Sequence, residues 1–176
     1  MTGAGFISVL SAADDVSEFD CGDAARNAWL RARGVASQAS DDARTYVARD
    51  SGGAVCGFYA ITTGGILRGG LPGALRRNAP DPVSCVVLAQ LGVAKAVQGR
   101  GIGRELVLHA MGQGAKVAEI AGCRLLVVHP ATQELVAYYG KFGFVEVETV
   151  PVAVMAMSLQ RVRGILGAVG RVGGVK

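Results

Sequence analysis

The stretch that decides the fold reads Gln98-Gly99-Arg100-Gly101-Ile102-Gly103 and is followed by Arg104. It lies between an apolar run, residues 84–93, which is typical of a buried strand, and a segment with helical spacing of apolar residues, 101–121. Glycines at a strand-to-helix junction let the backbone turn tightly and leave several N–H groups pointing the same way. The helix start adds unpaired N–H groups and the positive end of its dipole. The stretch therefore predicts a socket for a phosphate or a pyrophosphate.

Two common phosphate-binding loops do not fit this spacing. A Walker loop ends in Gly-Lys-Ser/Thr, whereas Arg104 and Glu105 follow Gly103 here. A dinucleotide fingerprint has its third glycine one residue later, and Glu119, at the right distance for its acidic residue, lies inside the helical stretch. The remaining pattern, Gln/Arg-x-x-Gly-x-Gly, resembles the acetyl-coenzyme A loop of the GNAT acetyltransferase superfamily, in which the backbone holds the pyrophosphate. The loop alone also fits an ordinary glycine-rich turn.

The composition indicates a globular chain without a metal site. Its 176 residues are 51% hydrophobic and 18% charged, which suits a sizeable core and a single domain over 1–160, and we expect 161–176 to form a loosely ordered basic tail. No apolar run is long enough to span a bilayer and the start has no signal-peptide pattern, so we expect a cytoplasmic protein with no membrane partner. The 4 cysteines are scattered and lie at no metal-ligand spacing with a histidine. The net charge of +4 permits an anionic partner without requiring one.

The order of predicted elements indicates a mixed α/β (α+β) fold. Strands are predicted over 6–10, 44–49, 54–63, 84–93, 124–128, 144–149 and 152–159, and helices over 23–38, 101–121 and from a cap at Thr132 to near 143. Between the third and fourth strands, residues 64–82 read as a long loop rich in Gly, Pro and Arg with a short helical turn. This order fits the GNAT layout, a mostly antiparallel sheet flanked by helices, in which two splayed central strands commonly admit the coenzyme.

A more specific resemblance extends from Phe19 to Leu159. There the chain resembles the acetyltransferase toxins of type II bacterial toxin–antitoxin modules, and the subfamily mark is Leu75-Arg76-Arg77-Asn78-Ala79-Pro80-Asp81-Pro82, in front of the central strand. Further matching stretches are 19–22, 29–30, 57–60, 118–122 and 137–144. The chain departs from the pattern at Gln90, Ala94 and Gly140.

The resemblance implies an activity and its partners. Such toxins transfer acetyl from acetyl-CoA to the free α-amino group of an amino acid attached to tRNA, so that translation stalls. It further implies a neutralising ribbon-helix-helix antitoxin and a homodimer. A free α-amino group has a pKa of about 7.7 to 8.0, and that of an ester-linked one should be lower still, so a large fraction of the amine is already neutral. A strong catalytic base is then not required, which favours α-amino acceptors over lysines.

The resemblance also assigns roles to individual residues. Tyr139, rather than Tyr138, is directed towards the coenzyme thiol, and a phenol with a pKa of about 10 can donate a proton to it. Arg76, Arg77 and Lys95 are expected at the tRNA backbone. The expected coenzyme-binding residues are those of the central strand end and of the loop: Leu91, Gly92, Val93, Gln98, Gly99, Arg100, Gly101, Ile102, Gly103 and Arg104.

Two other functions remain open at this stage. One is a GNAT enzyme that acetylates a small amine or a protein N-terminus, which needs no basic patch at Arg76 and Arg77. The other is a non-catalytic acyl-CoA-binding module, which keeps the loop but transfers nothing. Tyr139 favours an enzyme over the second alternative.

Overall fold

The computed structural model describes residues 6–147 and 153–172. Its strands are β1 Phe6–Val9, β2 Arg44–Arg49, β3 Val55–Ile66, β4 Val83–Val93, β5 Leu125–Val128, β6 Val145–Val147 and β7 Val154–Ser158. Its α-helices are α1 Ala24–Arg33, α2 Ala36–Ala39, α3 Gly73–Arg76, α4 Ile102–Ala121, α5 Gln133–Gly140 and α6 Leu159–Val172. Within these residues, no helix combines the length and the apolar character that crossing a membrane requires.

The strands form a seven-stranded sheet in the order β1-β2-β3-β4-β5-β7-β6, which confirms the predicted fold class. The pairings β1–β2, β2–β3, β5–β7 and β6–β7 are antiparallel. The predicted hairpin at residues 50–53 joins β2 to β3, where Asp50 accepts hydrogen bonds from two backbone N–H groups of the turn. Gly53 has a φ of +86°, a backbone angle that glycine adopts without strain.

The chain divides into two compact units. The first comprises residues 6–62 and 88–110, and its core contains Leu10, Leu30 and Val47 around Phe58. The ring of Phe58 meets Phe19 edge-on, with ring centroids 5.4 Å apart. Such aromatic contacts add to the stability that apolar burial alone provides.

The second unit comprises residues 63–87, 111–147 and 153–172. Its core joins β4, β5 and β7 through Val83, Leu125 and Ala156, and Leu71 and Ala79 from the segment before β4 pack into it. The single domain predicted for residues 1–160 stays a prediction.

The helix predicted over 23–38 is interrupted. Gly34 ends α1, and a Cβ there would lie 2.6 Å from the carbonyl oxygen of Leu30 and 2.8 Å from a methyl carbon of Leu10. There is therefore no room for a side chain at position 34. Beyond it, only the four-residue α2 follows. At the other end of α1, Asp23 accepts a hydrogen bond from the backbone N–H of Arg26 at 3.0 Å, as an N-cap does.

The prediction of a loosely ordered tail from 161 onward is wrong for most of that segment. Helix α6 begins at Leu159 and continues to Val172, with Leu159 and Val162 buried. These residues are three apart, so they lie on one face of the helix. Residues 173–176 lie outside the described residues, as do 148–152, which hold the end of the predicted strand 144–149 and the start of 152–159.

Candidate active site

The glycine loop lies between the end of β4 at Val93 and the start of α4 at Ile102, with a 3₁₀ turn over Lys95–Val97. Gly99 and Gly101 have φ angles of +78° and +90°. A Cβ on either glycine would meet nothing within 4 Å. Glycine is thus required by the backbone angle, and the backbone here borders open space that a ligand can approach.

The start of α4 is fixed by packing on β3. A Cβ on Gly57 would lie 3.0 Å from Leu106 and 3.2 Å from Ile102, and both of these side chains are buried. The first N–H groups of α4 have no acceptor within the helix and mark its positive end. The exposed Arg100 and Arg104 add two positive charges, and neither forms an ion pair with another described residue. This arrangement suits a pyrophosphate.

The side chain of Gln98 anchors the loop. Its Nε2 donates hydrogen bonds to the backbone carbonyls of Val93 at 2.9 Å and of Cys21 at 3.1 Å. These bonds tie the residue that precedes Gly99 to the end of β4.

The predicted coenzyme-lining strand end, Leu91 to Val93, lies in the same compact unit as the loop. Gly92 is buried, and a Cβ there would lie 2.8 Å from the ring of Phe58 and 3.2 Å from the thiol sulfur of Cys21. Glycine is required at this position by close approach. Leu91 and Val93, on either side, are half-buried.

Lys95, predicted to contact tRNA, is paired with an acid. Its Nζ lies 2.9 Å from Oδ2 of Asp20. The hydrogen bond from Lys95, with further ones from Gly22 and Asn27, lowers the pKa of Asp20 to about 2. The two side chains are 61% and 50% exposed, so Lys95 can exchange this partner for a phosphate, and its contact with tRNA stays a prediction.

Tyr139 lies in the second unit, on α5. The predicted cap at Thr132 is confirmed, since its hydroxyl accepts a hydrogen bond from the N–H of Leu135 at 3.3 Å. Tyr139 is 7% exposed, and its ring meets Tyr138 and Phe144 edge-on with centroids 5.5 and 5.7 Å apart. Tyr138 is half-buried, whereas Tyr139 is buried.

Arg76 and Arg77 share a cavity with an arginine that sequence analysis missed. The cavity holds about 470 Å³ and is lined by Arg68, Gly73, Arg76 and Arg77. In the part of the chain that the structure describes, none of the three guanidinium groups forms an ion pair. Arg68 is oriented by a hydrogen bond from Nη1 to the carbonyl of Ala79 at 3.2 Å. The sequence feature that points to Arg68 is its positive charge within the Gly- and Pro-rich segment 64–82, which also holds Arg76 and Arg77.

The two histidines have different surroundings. His109, on α4, has its Nδ1 2.7 Å from the hydroxyl of the buried Tyr59, as a structural histidine does. His129 borders an apolar cavity of about 400 Å³ in the second unit, together with Cys85. Burial raises the pKa of the Cys85 thiol to about 11, so this thiol is neutral at pH 7. Among the described residues, no group of three or more His, Cys, Asp or Glu side chains could hold a metal ion.

Comparison with known proteins gives consistent findings. A family model described as an acetyltransferase (GNAT) domain matches residues 41–146. A tRNA-acetylating toxin of Mycobacterium tuberculosis is 36% identical over 159 residues, which cover 90% of this chain and 94% of that protein.

Solved structures of similar fold include AtaT complexed with acetyl-methionyl-tRNAfMet. It is 23% identical, covers 91% of this chain and 98% of that chain, and superposes with a TM-score of 0.84. A structure of AtaTR bound with AcCoA is 23% identical, covers 91% of this chain and 96% of that chain, and has a TM-score of 0.79.

Proposed function

The chain belongs to the GNAT acetyltransferase family, and on this premise we propose that it moves acetyl from acetyl-CoA to the free α-amino group of an aminoacyl-tRNA and so blocks translation. The observation that carries the proposal is the similarity, over almost the whole of both chains, to a tRNA-acetylating toxin. The subfamily stretch Leu75-Arg76-Arg77-Asn78-Ala79-Pro80-Asp81-Pro82 supports it from the sequence.

The glycine loop binds the pyrophosphate of acetyl-CoA in this proposal. The left-handed backbone at Gly99 and Gly101 leaves open space beside the main chain, and the N–H groups at the start of α4 supply the hydrogen-bond donors. Arg100 and Arg104 neutralise the charge of the phosphates. The central strand around Leu91 to Val93 lines the pantetheine arm, and its backbone polarises the thioester carbonyl.

Tyr139 acts as the general acid. The amine nitrogen attacks the carbonyl carbon of the thioester, a C–N bond forms, and the C–S bond breaks. The phenol of Tyr139 gives its proton to the departing sulfur, and the attacking nitrogen loses one proton to water, from which the phenolate is then reprotonated. Burial of the ring between Tyr138 and Phe144 restricts it to one position, which lowers the entropic cost of the transfer.

The acceptor amine needs no dedicated base. A free α-amino group has a pKa of about 7.7 to 8.0, and esterification of the adjacent carboxyl to tRNA lowers it further, so much of the amine is neutral at pH 7. The chemistry therefore selects an α-amino group over a lysine side chain, whose pKa is about 10.4.

The three arginines around the 470 Å³ cavity bind the tRNA backbone in this proposal. Phosphate contacts position a nucleic acid without reading its sequence. The cavity supplies affinity and orientation, while selection among charged tRNAs belongs to the site that receives the amino acid.

The proposed function also implies partners and a location. We infer a cytoplasmic protein that acts as a homodimer and is neutralised by a ribbon-helix-helix antitoxin. These inferences rest on the resemblance to toxins of toxin–antitoxin modules. Expression of the chain alone is expected to arrest growth, and co-expression of the neighbouring antitoxin gene is expected to restore it.

The proposal is tested by incubating the protein with radiolabelled acetyl-CoA and a bulk pool of charged bacterial tRNA. We expect label in the tRNA fraction, released by mild alkali as N-acetyl amino acid, and none with the same pool after deacylation. Parallel reactions contain a peptide with a free N-terminus or a mixture of polyamines. Label on the peptide or on the polyamines with none on charged tRNA would show that the acceptor is wrong.

A further inference from the structure

A hydrogen-bond network beside the glycine loop has no role in the mechanism above. One oxygen of Asp20, Oδ1, accepts hydrogen bonds from the backbone N–H of Gly22 at 2.8 Å and from Nδ2 of Asn27 at 2.9 Å. The other oxygen, Oδ2, is paired with Lys95. We call Asp20, Cys21, Gly22 and Asn27 the loop brace.

Asn27 holds the loop brace together. It is 8% exposed and projects from α1, and it uses both ends of its amide. While Nδ2 donates to Asp20, Oδ1 accepts hydrogen bonds from the backbone N–H of Cys21 at 3.0 Å and from the Cys21 thiol at 3.1 Å. A buried amide with every bond directed to residues 20 and 21 fixes the course of the backbone there.

The backbone of the loop brace in turn holds the segment that leads into the glycine loop. The carbonyl of Asp20 accepts a hydrogen bond from the N–H of Lys95 at 2.9 Å. The carbonyl of Cys21 accepts one from Nε2 of Gln98 at 3.1 Å. Two consecutive carbonyls thus anchor both ends of the turn between β4 and Gly99.

The loop brace also contacts β4 itself. A Cβ on Gly92 would lie 3.2 Å from the Cys21 sulfur, so strand and brace approach each other as closely as glycine permits. Cys21 of the loop brace thus lies against the strand end, whereas the hydrogen bonds of the brace backbone are made to the segment that leads into the glycine loop.

We infer that Asn27 is a positioning residue for the pyrophosphate of acetyl-CoA. It acts through the carbonyls of Asp20 and Cys21, which hold Lys95 and Gln98 and thereby set the direction of the N–H groups that follow Gln98. A loop held in its bound conformation before the ligand arrives loses less entropy on binding. The inference rests on the proposed function for the identity of the ligand.

The test measures kcat/KM of the wild type and of Asn27→Ala with two acetyl donors. Acetyl-CoA carries the pyrophosphate, whereas acetyl-pantetheine carries the same thioester without it. We expect kcat/KM for acetyl-CoA to fall about tenfold through KM, which corresponds to about 1.4 kcal/mol, while kcat/KM for acetyl-pantetheine changes little.

Gln38→Ala is the matched control. Gln38 lies in the same compact unit, and its amide also bridges backbone groups, with Nε2 2.8 Å from the carbonyl of Leu10 and Oε1 3.1 Å from the N–H of Thr45. We expect Gln38→Ala to lower the melting temperature about as much as Asn27→Ala does and to leave kcat/KM for both donors unchanged. An equal loss for both donors in Asn27→Ala, or no loss for either, would overturn the inference.

Two further measurements keep the result decisive. Gln98→Met keeps the four residues of the loop brace but removes the hydrogen bond from Nε2 to the carbonyl of Cys21. It should therefore lower kcat/KM for acetyl-CoA and not for acetyl-pantetheine, even if Asn27→Ala does not fold. Binding of coenzyme A, measured by calorimetry, should weaken about tenfold in Asn27→Ala and not in Gln38→Ala. This binding result judges the inference independently of transfer to tRNA, whose failure in the wild type would instead contradict the proposed function.

Discussion

Glycine is required at positions 99 and 101 by the backbone angle, whereas at position 92 it is required because there is no space for a side chain. The first two have positive φ angles and empty surroundings, and a Cβ on the third would lie 2.8 Å from the ring of Phe58. Adding a side chain would therefore be unfavourable for a different reason at Gly92 than at Gly99 and Gly101. At the first two it would strain the backbone beside the ligand, and at the third it would disturb the core of the first unit.

Gly101→Ala tests the angle. A φ of +90° costs an L-residue about 1–2 kcal/mol, so we expect weaker coenzyme A binding by calorimetry as the loop relaxes to another conformation. Gly112→Ala is the control, because Gly112 lies inside α4 with nothing within 4 Å of an added Cβ. It should raise the free energy of unfolding by about 1 kcal/mol and leave binding unchanged. Equal coenzyme binding in both variants would contradict the role of the left-handed backbone.

Tyr139→Phe tests the general acid. The substitution keeps the ring against Tyr138 and Phe144 but removes the hydroxyl proposed to donate the proton, so kcat should fall by about 10²–10⁴-fold while coenzyme A binds as before. Tyr138→Phe should retain most of the activity. The measurements are steady-state transfer to charged tRNA and calorimetric binding of coenzyme A. Turnover in Tyr139→Phe equal to the wild type would remove this residue from the mechanism.

At the scale of elements, the segment between β3 and β4 is held by the core of its own unit. Leu71 and Ala79 are 3% and 4% exposed and pack with Val83. A 3₁₀ turn over Arg68–Gly70 comes just before Leu71, and α3 lies between the two apolar anchors. The two elements direct Arg68 and Arg76 to one cavity. A stretch that reads as a long loop in the sequence is thus a fixed platform for positive charge.

Arg76→Ala combined with Arg77→Ala tests this platform, and Arg68→Ala tests the added member. The proposed contacts of these guanidinium groups with phosphates predict that their removal lowers the affinity for tRNA and flattens its salt dependence, by a slope of about 0.7–0.9 for each phosphate that is no longer neutralised. The measurement is the KM for charged tRNA at several salt concentrations. Arg33→Ala is the control, since Arg33 is 59% exposed and forms an ion pair with Asp42, and both of these residues belong to the first unit. An unchanged salt slope in the arginine variants would exclude the cavity from tRNA binding.

At the scale of the whole molecule, acidic side chains with a lowered pKa link folding to pH, and Asp14 and Asp20 are two of them. Burial alone would raise the pKa of Asp14, but hydrogen bonds from Arg49 and Ser11 outweigh it and hold the pKa below its usual value. Arg49 binds Asp14 in bidentate fashion: Nε donates to Oδ1 at 2.9 Å and Nη2 donates to Oδ2 at 2.7 Å. The pKa of Asp20 is lowered to about 2 by Lys95.

These lowered pKa values predict loss of stability in acid. A carboxyl whose pKa is lower in the folded state adds stability above its unfolded pKa of about 3.9 and loses it as the pH falls towards the folded pKa. Urea unfolding at pH 7, 5, 4 and 3 should therefore show constant stability down to about pH 5 and a decline below it.

The Asp14–Arg49 pair supplies part of this decline. Asp14→Asn should lower the free energy of unfolding at pH 7 by about 2 kcal/mol, since charge-assisted bonds are lost, and should make the decline below pH 4 shallower. Arg49→Gln should act alike, and the double variant should lose little more than either single one. Strictly additive losses, or an unchanged decline in acid, would show that the pair does not couple folding to pH.

The sequence by itself determined the order of elements, the glycine loop, the hairpin at 50–53 and the cap at Thr132, because each of these depends on residues adjacent in the chain. It did not predict α6, since Gly164, Gly167 and Gly170 weaken its helical propensity and only packing that buries Val162 favours the helix. Nor did it predict the loop brace or the place of Arg68 in the arginine cavity. Asn27 and Gln98 are 71 positions apart, and the hydrogen bond between Cys21 and Gln98 joins residues 77 positions apart. Only tertiary structure brings such residues together, because side-chain hydrogen bonds between distant segments leave no periodic pattern in a sequence.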